Sequence, residues 1–242
     1  MTATTYTRYE MLRVFRNRRF FIFSLGFPVI LFLIVAGPNR NQKLDGIPFA
    51  LYYMTGMITF GTMSAVIAGG ARIAMEREVG WNRQLRITPL RTRSYFQAKL
   101  LTGYAMALIS IALLYVLGAS FGVRLSAGNW LTLTGLLLVG LIPFAILGIV
   151  LGHLLNADSM GPAMGGLTTL FALLGGAWGP IASGGLLHRA TELLPSYWLV
   201  QAGKSALGGG GWPAEAWIVI GVWAAVLTRL AAIVYRRDTG RA

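Results

Sequence analysis

The sequence predicts an all-α integral membrane protein that crosses the bilayer six times. Three observations carry that reading. Only 12% of the 242 residues are charged and 55% are hydrophobic, whereas an ordinary soluble domain is about 25% charged. Charge is absent from several runs long enough to cross a bilayer. The basic residues also sort by loop, heavily to one side. A net charge of +13 would suit a nucleic-acid binder only with a wet polar surface to display it. This chain lacks such a surface, so nucleic acid is not an expected partner.

The spans follow from the uncharged runs. No Lys, Arg, Asp or Glu lies between Phe20 and Asn39, Gly46 and Ala71, Leu100 and Val123, Leu125 and Ala157, or Ser159 and Leu187. A spanning helix needs about 20 apolar residues to cross roughly 30 Å of hydrocarbon. The expected spans are 20–36, 48–71, 99–121, 130–152, 160–180 and 213–235. The last carries Glu215 near one end and Arg229 near the other, where a long side chain snorkels to the interface. Period-two alternation is absent, which argues against a β-barrel. The first apolar run is too long for a signal peptide and no convincing cleavage site follows. One membrane domain over residues 1–242 is expected.

Orientation comes from the cations. One side collects Arg8, Arg13, Arg16, Arg18 and Arg19, the loop residues Arg72, Arg77, Arg83, Arg86, Arg91, Arg93 and Lys99, and the tail residues Arg229, Arg236, Arg237 and Arg241. The other collects only Arg40, Lys43, Arg124, Arg189 and Lys204. The positive-inside rule places both termini in the cytoplasm.

Three segments outside the spans have their own character. Residues 6–19 read as an amphipathic helix lying in the headgroup layer, with Met11, Leu12, Val14 and Phe15 on one arc and Glu10, Arg13, Arg16 and Asn17 opposite. Residues 72–98 form the longest polar stretch on the cytoplasmic side. Residues 183–211 are too apolar for a solvated loop and too broken by Gly184, Gly185, Pro195 and Gly208–Gly211 for a span. Two short helices fit there, 186–194 and 196–207, either re-entrant under cover of protein or flat on the bilayer. Glycines four apart (118/122, 148/152, 161/165, 175/179) fit close helix packing within the chain, or a dimer seam.

The search for chemistry is largely one of elimination. The chain has no cysteine and two histidines, His153 and His188, on opposite predicted sides, so no metal site is expected. No serine, histidine and acid converge as a triad requires. Gly203-Lys204-Ser205 looks like the end of a phosphate loop, but the glycine needed five positions earlier is Trp198. All eight acids fall at predicted helix ends or in loops, which disfavours a carrier that binds its coupling ion mid-membrane. Such a stand-alone carrier or channel is the alternative reading.

What remains is the cytoplasmic segment. Glu76, Arg77 and Glu78 sit at the mouth of the second span. Gly80 permits a reversal. Leu85 supplies the contact of a short helix, and Thr88-Pro89 ends it.

Glu-Arg-Glu-x-Gly, then Leu, Thr-Pro and the later Lys99, resembles the ABC-2 type transporter permeases, the membrane subunits of ATP-binding cassette exporters, including the daunorubicin-resistance type. The six spans, an N-terminal elbow helix, broken outer helices and Leu194-Pro195-Ser196-Tyr197-Trp198 fit the same family. Trp81 and Gln97-Ala98 depart from its usual pattern. The resemblance implies an exporter subunit in the cytoplasmic membrane of a bacterium, without enzymatic activity, moving an amphipathic drug or lipid-like cargo outward. It implies two copies of a separate ATPase carrying ATP and magnesium, and a second permease subunit, identical or homologous. It also implies that Glu76, Arg77, Glu78, Gly80, Arg83, Leu85, Arg86, Thr88 and Pro89 couple to the ATPase. Pro195, Tyr197 and Trp198 would stand near the outer gate.

Overall fold

The computed structural model describes residues 3–17, 22–44, 46–81, 84, 88, 92–181, 184–208 and 210–239. Its helices are α1 (Ala3–Phe15), α2 (Phe27–Ala36, entered through a π-helical turn Ile22–Gly26), α3 (Phe49–Glu78), α4 (Thr92–Ser120), α5 (Ala127–Gly140), α6 (Ile142–Leu154), α7 (Ala157–Leu174), α8 (Gly185–Glu192), α9 (Pro195–Leu207) and α10 (Ala214–Thr239). Among the described residues, a short antiparallel hairpin precedes α3. It pairs Lys43 with Pro48 and Leu44 with Ile47, and turns at Gly46 with φ +80°.

Among the described residues, four helical stretches are long and apolar enough to cross a membrane: α3, α4, α5–α6 taken together, and α10 through Arg237. The chain is therefore a multi-pass membrane protein. The other two expected spans are helical but fall short of that measure. Helix α2 with its π-turn is a shorter apolar helix. Helix α7 carries Asp158, Gly161, Pro162, Gly165, Gly166 and two threonines, which dilute its hydropathy. Helix α4 begins seven residues before the expected span, so 92–98 of the cytoplasmic segment is already helical. The α5–α6 break at Leu141 precedes Pro143, near the start of α6, where proline has no intrahelical donor to lose.

Helix α3 is the axis of the fold. It packs against α2, α4, α6, α7 and α9, and 83% of its apolar window is buried, against 17% for α10. Close approach is set by backbone. A Cβ on Gly69 would come 2.9 Å from the carbonyl oxygen of Lys99 on α4, and one on Gly70 would come 2.3 Å from the Gly148 carbonyl carbon on α6. Adjacent glycines thus let α3 meet one helix on each side. Gly148 and Gly152 fill the other half of that crossing, which is the small-residue packing that holds helices together in lipid.

The end of the bundle that carries α8 and α9 is built differently. Helix α7 stops in a Schellman turn: the Gly176 N–H bonds the Leu173 carbonyl, the Ala177 N–H bonds that of Ala172, and Gly176 has φ +78°. The turn presses the Ala177 carbonyl onto Gly56 of α3, where a Cβ would come within 2.2 Å. Helices α8 and α9 occupy nearly the two segments expected between Gly184 and Gly208. The buried face of α9 packs on α3 and α5. Gly203 lies inside α9 against Thr55, so Gly-Lys-Ser here is helix packing.

Candidate functional site

The C-terminal end of α3, the N-terminal part of α4 and one face of α1 meet in a buried cluster of charge. Glu76, in the last turn of α3, is 1% exposed and Lys99, on α4, is 1% exposed. The Lys99 ammonium donates to Glu76 Oε1, and to Glu10 Oε1 of α1 at 2.6 Å. The Tyr95 hydroxyl donates to Glu76 Oε2 at 2.6 Å. Arg13 Nη1 reaches Glu76 Oε1 at 3.0 Å and Arg72 Nη1 reaches Glu10 Oε1 at 3.4 Å. Burying a charge costs several kcal/mol unless partners repay it. Here each carboxylate has at least two donors. Tyr6 of α1 is buried beside them, ring against Tyr95 at 6.0 Å. Burial, with Glu76 and Glu10 nearby, pushes its hydroxyl pKa well above the ordinary tyrosine value.

This geometry revises the face of α1. The buried residues are Tyr6, Glu10 and Val14, while Tyr9, Leu12 and Phe15 are exposed. Glu10 and Arg13 of the polar arc make ion pairs with the rest of the protein and Val14 of the apolar arc is buried, while Leu12 and Phe15 of that arc face outward. Sequence reasoning passed over Glu10, Arg13 and Tyr95 as site residues, and noted Lys99 only as a later lysine. One signal was present: Tyr6, Glu10 and Val14 recur at helical spacing.

Next to the cluster, Arg77 donates to the carbonyls of His153 at 2.8 Å and Gly152 at 3.3 Å. Those are C-terminal carbonyls of α6, where a cation also meets the negative end of the helix dipole. His153 is buried in that turn. Its Nδ1 lies 2.9 Å from the Ile149 carbonyl and its ring stands between Phe96 and Tyr235. Glu78 is exposed at the helix end. Gly80 turns the chain at φ +68°, with open space around its Cβ position. Thr88 lies in a bend and is half-buried. Arg83, Leu85, Arg86 and Pro89 lie outside the described residues.

At the other end of the bundle, Pro195 opens α9 and is buried. The Trp198 indole N–H donates to the Glu192 carbonyl at 2.8 Å. Tyr197 packs edge-on against His188 and Trp198, and His188 Nε2 is 3.4 Å from Glu192. Tyr197 and His188 border a cavity of about 190 Å³ that also touches Tyr52, Gln201 and Lys204. Of the expected gate residues, Tyr197 lines this cavity, while Pro195 and Trp198 are buried in α9. Among the described residues, no group of three His, Cys, Asp or Glu side chains could hold a metal ion.

Comparison with known proteins points the same way. The model of a family described as ABC-2 family transporter protein matches residues 38–233. The chain is also similar to a curated protein of Bacillus subtilis (strain 168) named "Putative transport permease YvfS", at 29% identity over 192 residues, 78% of each chain.

Proposed function

Because the chain belongs to the ABC-2 family of transporter proteins, we propose that it is the membrane subunit of an ATP-driven exporter. Two such subunits, identical or homologous, line the pathway, and two copies of a separate ATPase dock on the cytoplasmic side. The ATPases hold ATP and magnesium. The cargo is an amphipathic drug or lipid-like molecule, and both termini are cytoplasmic. Helix α1 is the elbow lying at the interface, with Tyr9, Leu12 and Phe15 toward lipid.

The observation that supports this reading best is the Glu10–Lys99–Glu76 cluster. It ties α1, α3 and α4 together where the coupling segment leaves the membrane domain. Nucleotide-driven closure of the ATPases pushes on residues 81–91. Gly80 passes that push into α3, the most enclosed helix. Because Glu76 is bonded to Tyr95, Lys99 and Arg13, the three helix ends move as one body. Breaking a buried ion pair by removing one partner costs about 3–5 kcal/mol, so the junction is stiffer than the turns beside it. Arg77 couples the same movement to α6.

The test begins with purification, since the reading requires a soluble Walker-motif ATPase to co-purify. In the assembled complex, Gly80→Ala forces an L-residue into a left-handed conformation, at about 1–2 kcal/mol, with no clash to confuse the result. Gly80→Ala and Glu76→Ala are each expected to lower cargo-stimulated ATP hydrolysis while the protein still inserts into the membrane. Unchanged coupling in both variants would refute the assignment. A chain that purifies alone and transports without nucleotide would favour the stand-alone carrier.

A further inference from the structure

We infer that the protein binds an anionic phospholipid of the cytoplasmic leaflet in a groove bordered by α1, the α2 region, α3 and α7, its headgroup at Arg13 and Arg72. The inference rests on the membrane orientation proposed above, and it adds a ligand class and a location to that reading.

Two neighbouring cavities are both lined by Met164 of α7. The first, about 180 Å³, is lined by Arg13, Asn17 and Arg72 above Ala68, Met75 and Gly161. The second, about 300 Å³, is lined by Ser24, Phe27, Phe60, Gly165 and Trp178. The groove is thus cationic at one end and aromatic at the other. Along α3, Phe60 and Arg72 are separated by twelve residues, about 18 Å at the helical rise. One leaflet of a roughly 30 Å hydrocarbon layer is of similar depth. A headgroup at the interface would leave an acyl chain lying along α3 toward the midplane.

Charge selects an anion. The cluster holds three cations, Arg13, Arg72 and Lys99, against two carboxylates, Glu10 and Glu76. Lys99 is fully enclosed between both carboxylates, so the surplus positive charge falls to the two guanidiniums that line the groove. Arg13 is the accessible one, with its side chain 57% exposed. A guanidinium offers five donors in a planar fork that suits phosphate.

The wall on α7 is also open. A Cβ on Gly161 or Gly165 would meet nothing within 4 Å, whereas Gly148 and Gly152 are pressed against backbone. Among the described residues, glycine at 161 and 165 therefore serves no close contact. In the lower cavity Ser24 is 3% exposed and its hydroxyl has no hydrogen-bond partner, which places a lone donor where the glycerol esters or chain of a lipid would pass.

The test uses the whole protein in phosphatidylcholine bilayers doped with phosphatidylglycerol or phosphatidylcholine brominated on its acyl chains. Quenching at Trp178 is read as the difference between the native protein and Trp178→Phe. Brominated phosphatidylglycerol is expected to quench Trp178 at lower mole fraction than brominated phosphatidylcholine. Arg13→Gln should reduce that preference about fivefold, the worth of one cation near an anionic headgroup. Gly165→Leu should remove Trp178 quenching by both lipids. Equal quenching by the two lipids, or a preference unchanged in Arg13→Gln, would overturn the site. Quenching by neither would mean that protein, such as a second copy, covers the groove, and would overturn it too. Lipid binding requires no ATPase, so this result stands apart from co-purification: either reading can fail while the other holds.

Discussion

The two ends of the helical bundle are held by different forces. At one end, carboxylates on α1 and α3 share a buried lysine on α4, and Arg77 ties α3 to α6. At the other, around α8 and α9, the contacts are aromatic edges, hydrogen bonds from the indoles of Trp198 and Trp223 and from the Tyr52 hydroxyl to backbone carbonyls, and glycine-mediated backbone contact. Charge-assisted bonds are about twice as strong as neutral ones and are directional, whereas ring contacts tolerate sliding. The charged end is therefore the stiffer of the two.

Substitutions can break or sharpen that contrast. The largest effect is expected from Lys99→Met, which strands two buried carboxylates, at about 3–5 kcal/mol. Thermal unfolding in detergent should show a large drop in Tm, and adding Glu10→Gln with Glu76→Gln should recover most of it. Next is Gly70→Ala, whose Cβ would come 2.3 Å from the Gly148 backbone. Overpacking costs typically about 1–3 kcal/mol, whereas Gly165→Ala, with open space, should leave Tm unchanged. Trp198→Phe removes one neutral bond and should cost about 1 kcal/mol. A larger loss there than in Lys99→Met would reverse the comparison. Arg13→Gln should be smallest, below about 1 kcal/mol, because the Arg13 side chain is more than half exposed and Glu76 keeps Lys99 and Tyr95 as donors.

Much of this arrangement was legible in the sequence. Missing charge located the apolar helices, because lipid excludes ions from a helix centre whatever the neighbours are. Glycine and proline located α8 and α9, because their effect is local. The four-residue spacing found Gly148 and Gly152 but passed over Gly69-Gly70, since adjacent glycines matter only when two helices press from opposite sides. The buried face of α1 was not legible. Its polarity is set by partners 63 and 89 residues away in sequence, and a helical wheel sees only the helix itself. The same limit hid the cluster: Glu76 sits at a helix end and Glu10 in the middle of α1, and both are buried where Lys99 arrives from a third helix.

The most direct test of the stiff-junction account is a pair of spin-label distances in the complex with its ATPase. The chain has no cysteine, so labels can be introduced singly at exposed positions. Leu12 and Leu101 report the junction of α1 with α4, and Val116 and Leu186 report the outer end. The account predicts that ATP binding leaves the first distance unchanged and shifts the second. A junction that separates while the outer distance stays fixed would contradict it.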